Sequence, residues 1–141
     1  ITGGNLDGAD LSSIRFEGGS LSASLNGATL TGLDLSEPKL TSKGFIEAEL
    51  TGANLSAEDR ELSGADFSRC ACAGVRFDHL TLRAANFTDA NLRGASFVGT
   101  RLFGADFSEA DLTDVDFTDA IRNSVVGFDT AEGLETAKGL F

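Results

Sequence analysis

At 141 residues, a formal net charge of −11 and a pI near 4.3, the chain reads as one acidic domain, and direct nucleic-acid binding is disfavoured. No apolar run approaches the ~18 residues of a membrane-spanning helix, so no membrane insertion is expected. Two cysteines two residues apart and a single histidine do not make a zinc site, and no metal or other cofactor is expected.

In chain order, the first regularity is a Leu or Phe every five residues: Leu6, Leu11, Phe16 and Leu21. The series resumes one residue early as Leu25, Leu30, Leu35, Leu40, Phe45, Leu50 and Leu55. It resumes two residues late as Leu62, Phe67, Cys72, Phe77, Leu82, Phe87, Leu92, Phe97, Leu102, Phe107, Leu112 and Phe117, which makes 23 units in all. A period of five fits neither a helix nor a single long strand. It fits a chain that turns the same way after every unit, winds into a coil and points each central Leu or Phe inward. The residue two places earlier, such as Ala65, Ala85 or Ala105, also points inward, because strand side chains alternate. Asp, Asn, Ser, Thr and Gly fill the remaining positions and suit a wetted surface with tight turns.

From Phe67 onward, Phe recurs every ten residues with Leu or Cys between. A three-sided coil would mix Phe and Leu in each vertical column, and two sides cannot enclose such a core. Four sides keep the columns pure. Phe67, Phe87 and Phe107 then stack in one column, and Phe77, Phe97 and Phe117 in the opposite one.

Over residues 4–120 the pattern A-(D/N)-(L/F)-x-x, as in Ala85-Asn86-Phe87-Thr88-Asp89, resembles the pentapeptide-repeat family. The resemblance implies a right-handed four-sided β-helix, in agreement with the side count. The expected fold class is therefore all-β, a right-handed quadrilateral β-helix (a solenoid) of about six coils over residues 1–123. Coils at strand spacing rise about 4.8 Å each, so the rod is about 28 Å long. Residues 124–141 are expected to cap it with a short helix over 129–138, because Asp129-Thr130-Ala131-Glu132 resembles a capping box and Ala131, Leu134 and Ala137 share a helical face. Val125, Val126 and Phe128 are expected to pack on the Phe117 end. A dimer contact is the alternative use of this segment.

The repeat breaks at named places. Leu33, Pro38 and Lys43 fall in three consecutive small-residue slots, so that coil should be irregular and widened. The register places Arg60 inward, where an unpaired charge is costly, so Glu58 to Arg60 are expected to bulge outward. This bulge is either purely structural or a partner-contacting loop. Cys70 and Cys72 occupy two inward positions of one unit and are expected as small buried thiols.

Two surface features are candidate sites. Val98 and Phe103 are apolar at outward positions, and Arg83 lies twenty residues before Phe103, directly beneath it. With Arg101 they compose an aromatic anchor ringed by arginines, the candidate partner-binding face. The acids Asp106, Glu109, Asp111, Asp114, Asp116 and Asp119 form the densest negative stretch, a candidate DNA-mimic cluster. Acids dominate both ends, but residues 60–105 hold six arginines against four acids. No catalytic constellation is present, and His79 occupies an outward turn position.

The expected function is a non-enzymatic protein-interaction or scaffold module, with an unidentified protein partner and a possible homodimer or larger assembly. The alternative comes from the resemblance: the family includes quinolone-resistance proteins that bind DNA gyrase by imitating DNA. No initiator Met or signal peptide is present, so the chain reads as a processed or excised segment. The resemblance makes a soluble location expected, in the cytoplasm or, after removal of a targeting segment, the thylakoid lumen.

Overall fold

The computed structural model describes residues 1–140, and its order is set by parallel pairing between successive coils. One column of paired residues runs Asp66–Asn86–Asp106–Val126, and another runs Arg76–Ser96–Asp116–Lys138. Between Glu61 and Val126 every bridge joins residues twenty apart, so four five-residue units complete one coil. The chain is a β-helix. Among the described residues only two pairs are long enough to count as strands: β1 (Ser20–Leu21) and β2 (Lys39–Leu40), which are parallel to each other.

Each unit repeats one set of bonds. The central residue donates its N–H to the carbonyl of the coil above, as Phe87 does to Asp106 at 2.7 Å. The residue before it donates to the coil below, as Asn86 does to Ala65 at 2.9 Å. At the corner, the central carbonyl accepts from the amide three residues on, as Leu102 does from Ala105 at 2.9 Å. The third residue of such a turn needs a positive φ, which Gly104 meets at 70°. Glu109, Asp114 and Asp119 adopt the same geometry at 58–59° without being glycine, a small backbone strain.

The core follows the expected columns. Phe45, Phe67, Phe87 and Phe107 stack with centroids 4.6, 5.1 and 4.9 Å apart and planes within 7°. Phe77, Phe97 and Phe117 stack at 4.8 and 5.4 Å. The two columns meet edge to face, with centroids 5.3–5.8 Å apart, the arrangement that ring quadrupoles favour. All seven rings are fully buried. Cys70 and Cys72 are not free thiols: they form a disulfide with Cα atoms 5.5 Å apart. The inward curve of the coil brings these neighbouring inward positions together.

The register changes match the breaks in the sequence. Asn5 pairs with Ser24, nineteen residues on, and Gly44 pairs with Asp66, twenty-two residues on. Two expectations at these breaks are corrected. Lys43 does not enter the core: Ser42 is buried in its place and Lys43 is exposed, its Nζ donating to the Ser63 carbonyl at 2.6 Å. Glu58 and Asp59 face outward, but Arg60 turns inward and is half-buried. Its guanidinium donates to the carbonyls of Leu35, Leu55, Ser36 and Pro38 at 2.7–2.9 Å. The irregular coil frees these carbonyls from the ladder, and the planar fork of an arginine satisfies four of them at once.

The C-terminal end also differs from expectation. There is no helix over 129–138, only a 3-10 turn at Leu134–Thr136. The chain keeps winding instead, with Asp111 paired to Glu132 and Asp116 to Lys138. The sides here are six residues long and follow a second repeat, Gly127-Phe128-Asp129-Thr130-Ala131-Glu132 and Gly133-Leu134-Glu135-Thr136-Ala137-Lys138. A Cβ on Gly127 or Gly133 would overlap Ser108 or Thr113 of the coil below, so each unit starts with a glycine. Phe128 packs 5.7 Å from both Phe107 and Phe117, and Val125 packs on the core beside it. Val126 does not join them and is 53% exposed.

Two outcomes follow from this packing. Phe97→Asp buries an unpaired charge between two ring columns and should cost about 4 kcal/mol or more in chemical unfolding. A melting temperature unchanged within about a degree would contradict the stacked core. Arg60→Ala leaves four carbonyls unpaired and should cost about 3 kcal/mol, with Arg60→Lys recovering less than half because an ammonium cannot span the fork. Full recovery by lysine would show that charge alone, not the fork, matters there.

Candidate functional site

The candidate face lies on the side whose central residues are Leu62, Leu82 and Leu102. Arg101 pairs with Thr81 below and Ile121 above, and its side chain points outward. Two residues along, Phe103 is 47% exposed, and the Arg83 guanidinium lies 5.4 Å from its ring centroid. This distance suits a cation–π contact, worth about 0.5–1 kcal/mol at an exposed site. Arg101 reaches the other way, to Asp59 at 2.6 Å, and that hydrogen-bonded carboxylate holds its pKa above the ordinary arginine value. The 56–60 insertion thus borders the face through Asp59.

Val98 does not belong to the exposed patch. It sits on the adjacent side, half-buried, and its amide donates to the Asp78 carboxylate at 3.0 Å. Ile121, and Val126 from the segment expected to pack on the Phe117 end, extend the face instead. Ile121 stands directly above Arg101 and is 51% exposed, and Val126 follows on the next side of the same coil. Both occupy positions where the repeat places Asp or Asn. The signal lay in carrying the twenty-residue register past Phe117.

The six acids diverge. Asp106, Asp111 and Asp116 lie on three successive sides of the rod, and each accepts from the amide and the hydroxyl two residues on. These carboxylates are turn acceptors. Asn86 and Asn91 accept from the amide alone, through their side-chain amide oxygens. Asp111 also takes an ion pair from Arg93 at 3.2 Å. Glu109, Asp114 and Asp119 are exposed at three different corners. Among the described residues no group of acids, cysteines or histidines is arranged to hold a metal ion.

A family profile described as pentapeptide repeats matches residues 61–97 and 81–119, in eight copies. Residues 61–119 are pentapeptide repeats. Solved structures similar to this chain include proteins from cyanobacteria and a plant. A pentapeptide repeat protein of Cyanothece 51142 aligns with a TM-score of 0.60 at 22% identity, over 65% of this chain. The chain spans only 60% of that protein's length. HetL, a pentapeptide repeat protein involved in heterocyst differentiation regulation in Nostoc sp. strain PCC 7120, aligns at 0.56 and 26% identity, over 96% of this chain and 73% of its own. A pentapeptide repeat protein of the Arabidopsis thaliana thylakoid lumen aligns at 0.47 and 29% identity, over 79% and 66%. No curated protein matches significantly.

The turn acceptors should make the fold acid-sensitive. The hydroxyl and amide two residues on hold Asp10, Asp34 and Asp116 below the ordinary aspartate value. Asp111 is pushed up by burial but ends below that value through Thr113 and Arg93. Each folded-state pKa lies below its unfolded one, so the stabilisation is complete above the unfolded carboxyl range. It is lost as pH falls through the folded values, below about 4. At physiological salt, where long-range repulsion is screened, melting temperature should hold from about pH 7 to 5 and drop below about 4. Asn at positions 10, 34, 111 and 116 keeps the acceptor without the charge and should flatten that drop. An equally steep acid limb in the Asn variant would assign the loss to other groups.

Proposed function

We propose that this chain is a non-enzymatic protein-interaction module. In this reading residues 1–123 wind a right-handed rod of about six coils, residues 124–141 close its C-terminal end, and a protein partner docks on the face of Arg83, Arg101 and Phe103, extended by Ile121 and Val126. The observation that carries it is the placement of exposed apolar side chains. Of the four large hydrophobics exposed among the described residues, Phe103 and Ile121 lie on one side in successive coils, Val126 follows on the next side of the upper coil, and Ile1 is near the chain's start. Such a patch beside arginines has the composition of an interface anchor. The rod's interior is filled with side chains, which favours work on the outside. Among the described residues no helix is long and apolar enough to cross a membrane.

Immobilised chain should capture a protein from its native extract that the Phe103→Ser/Ile121→Ser variant, melting at the same temperature, does not. The purified partner should bind that variant about tenfold or more weakly. Equal binding would remove this face. The competing reading, a DNA mimic acting on gyrase, draws on the net charge of −11 and the rod shape. It is weakened by the three acids committed to turns and by the spread of the rest over separate corners. Potent inhibition of supercoiling that disappears when the six acids become Asn or Gln would put it first.

A further inference from the structure

We propose that a cleft between the first and second coils, at the end of the rod opposite Phe103, docks an extended basic peptide segment of a partner protein. The first coil pairs with the second at Asn5–Ser24, Asp10–Thr29 and Ser20–Lys39. Continuing that register would set Arg15 against Asp34, but they do not pair and the ladder is open there. Among the described residues, the Asp34 N–H and C=O, the Phe16 N–H and the Ile14 C=O make no backbone hydrogen bond. On its upper side Asp34 is paired normally, with Asn54. Leu33 fills a slot held by alanine in most units and widens the second coil at this point.

The opened side is a cleft of about 430 Å³ between the two coils. Ile14, Phe16 and Leu33 supply its apolar wall. Free backbone donors and acceptors beside an apolar recess form the arrangement in which an extended peptide adds to a sheet edge. The main-chain bonds supply affinity, and the recess selects a side chain. The rim chooses the charge. Glu17 and Glu37 are exposed and make no ion pair among the described residues, and Arg15 is the single base. The ligand is therefore an extended segment carrying one large apolar residue flanked by lysine or arginine.

The chain contains no Trp or Tyr, so the fluorescence of a tryptophan peptide is unobscured. Titrating acetyl-Lys-Val-Trp-Val-Lys-amide should give a saturable blue shift as the indole leaves water. Acetyl-Glu-Val-Trp-Val-Glu-amide should bind about tenfold or more weakly, and the Glu17→Lys/Glu37→Lys protein should reverse that order. N-methylation of the amide beside the tryptophan should weaken binding, because a ladder bond is lost. Phe103→Ser should change nothing, which separates this site from the face at the other end. Absence of a saturable shift, equal binding of the two peptides, indifference to Glu17→Lys/Glu37→Lys, or loss of binding in Phe103→Ser would each overturn the proposal.

Discussion

The stacking of identical positions one coil apart is the constraint on which everything else rests. A parallel ladder places residue n directly beneath n plus twenty, at strand spacing, so every column must accept its own residue type repeated. Phenylalanine meets that demand well. Its rings lie nearly parallel at 4.6–5.4 Å within a column and present edges to the facing column. Alanine meets it in the slot beside each ring by leaving space. The same rule places Arg83 beneath Phe103 and Arg101 beneath Ile121, so the surface is as much a product of the register as the core.

Departures from the rule cost backbone bonds, and the chain meets them in three ways. At the widened second and third coils an arginine replaces missing amides, with Arg60 donating to four carbonyls. At the C-terminal end the units lengthen to six residues and begin with glycine, which lets the last coil sit on the one below without collision. At Arg15 and Asp34 nothing intervenes and the ladder stays open. The first two are closed solutions internal to the fold. The third leaves donors and acceptors unused beside an apolar recess.

The architecture was legible because a solenoid repeats its evidence. The ten-residue Phe alternation predicts the columns, and the twenty-residue offset predicts the Arg83–Phe103 contact. What stayed hidden depends on partners without sequence identity. Arg60 reads as an inward charge in need of a carboxylate, and its actual partners are backbone carbonyls. Whether Cys70 and Cys72 bond depends on how tightly the coil curves, which spacing does not encode. Ile121 and the six-residue units were within reach. They show only when the register is carried past Phe117, because residues 129–138 read alone match a helix better than a longer side of the same coil.

A filled interior moves the question of function to surface positions that break the outward polar rule. Most outward Asp and Asn residues serve the turns that follow them, which explains their recurrence and removes them as evidence for a ligand. Glu109, Asp114 and Asp119 are free of that duty but occupy different corners, where no single flat partner meets all three. Ile121 and Val126 are apolar in water where the repeat places Asp or Asn, Phe103 gains only its contact with Arg83, and the three lie in the last coils of the rod on two neighbouring sides. A side chain that the repeat does not require, repeated on neighbouring positions, is the clearest mark of selection by something outside the chain.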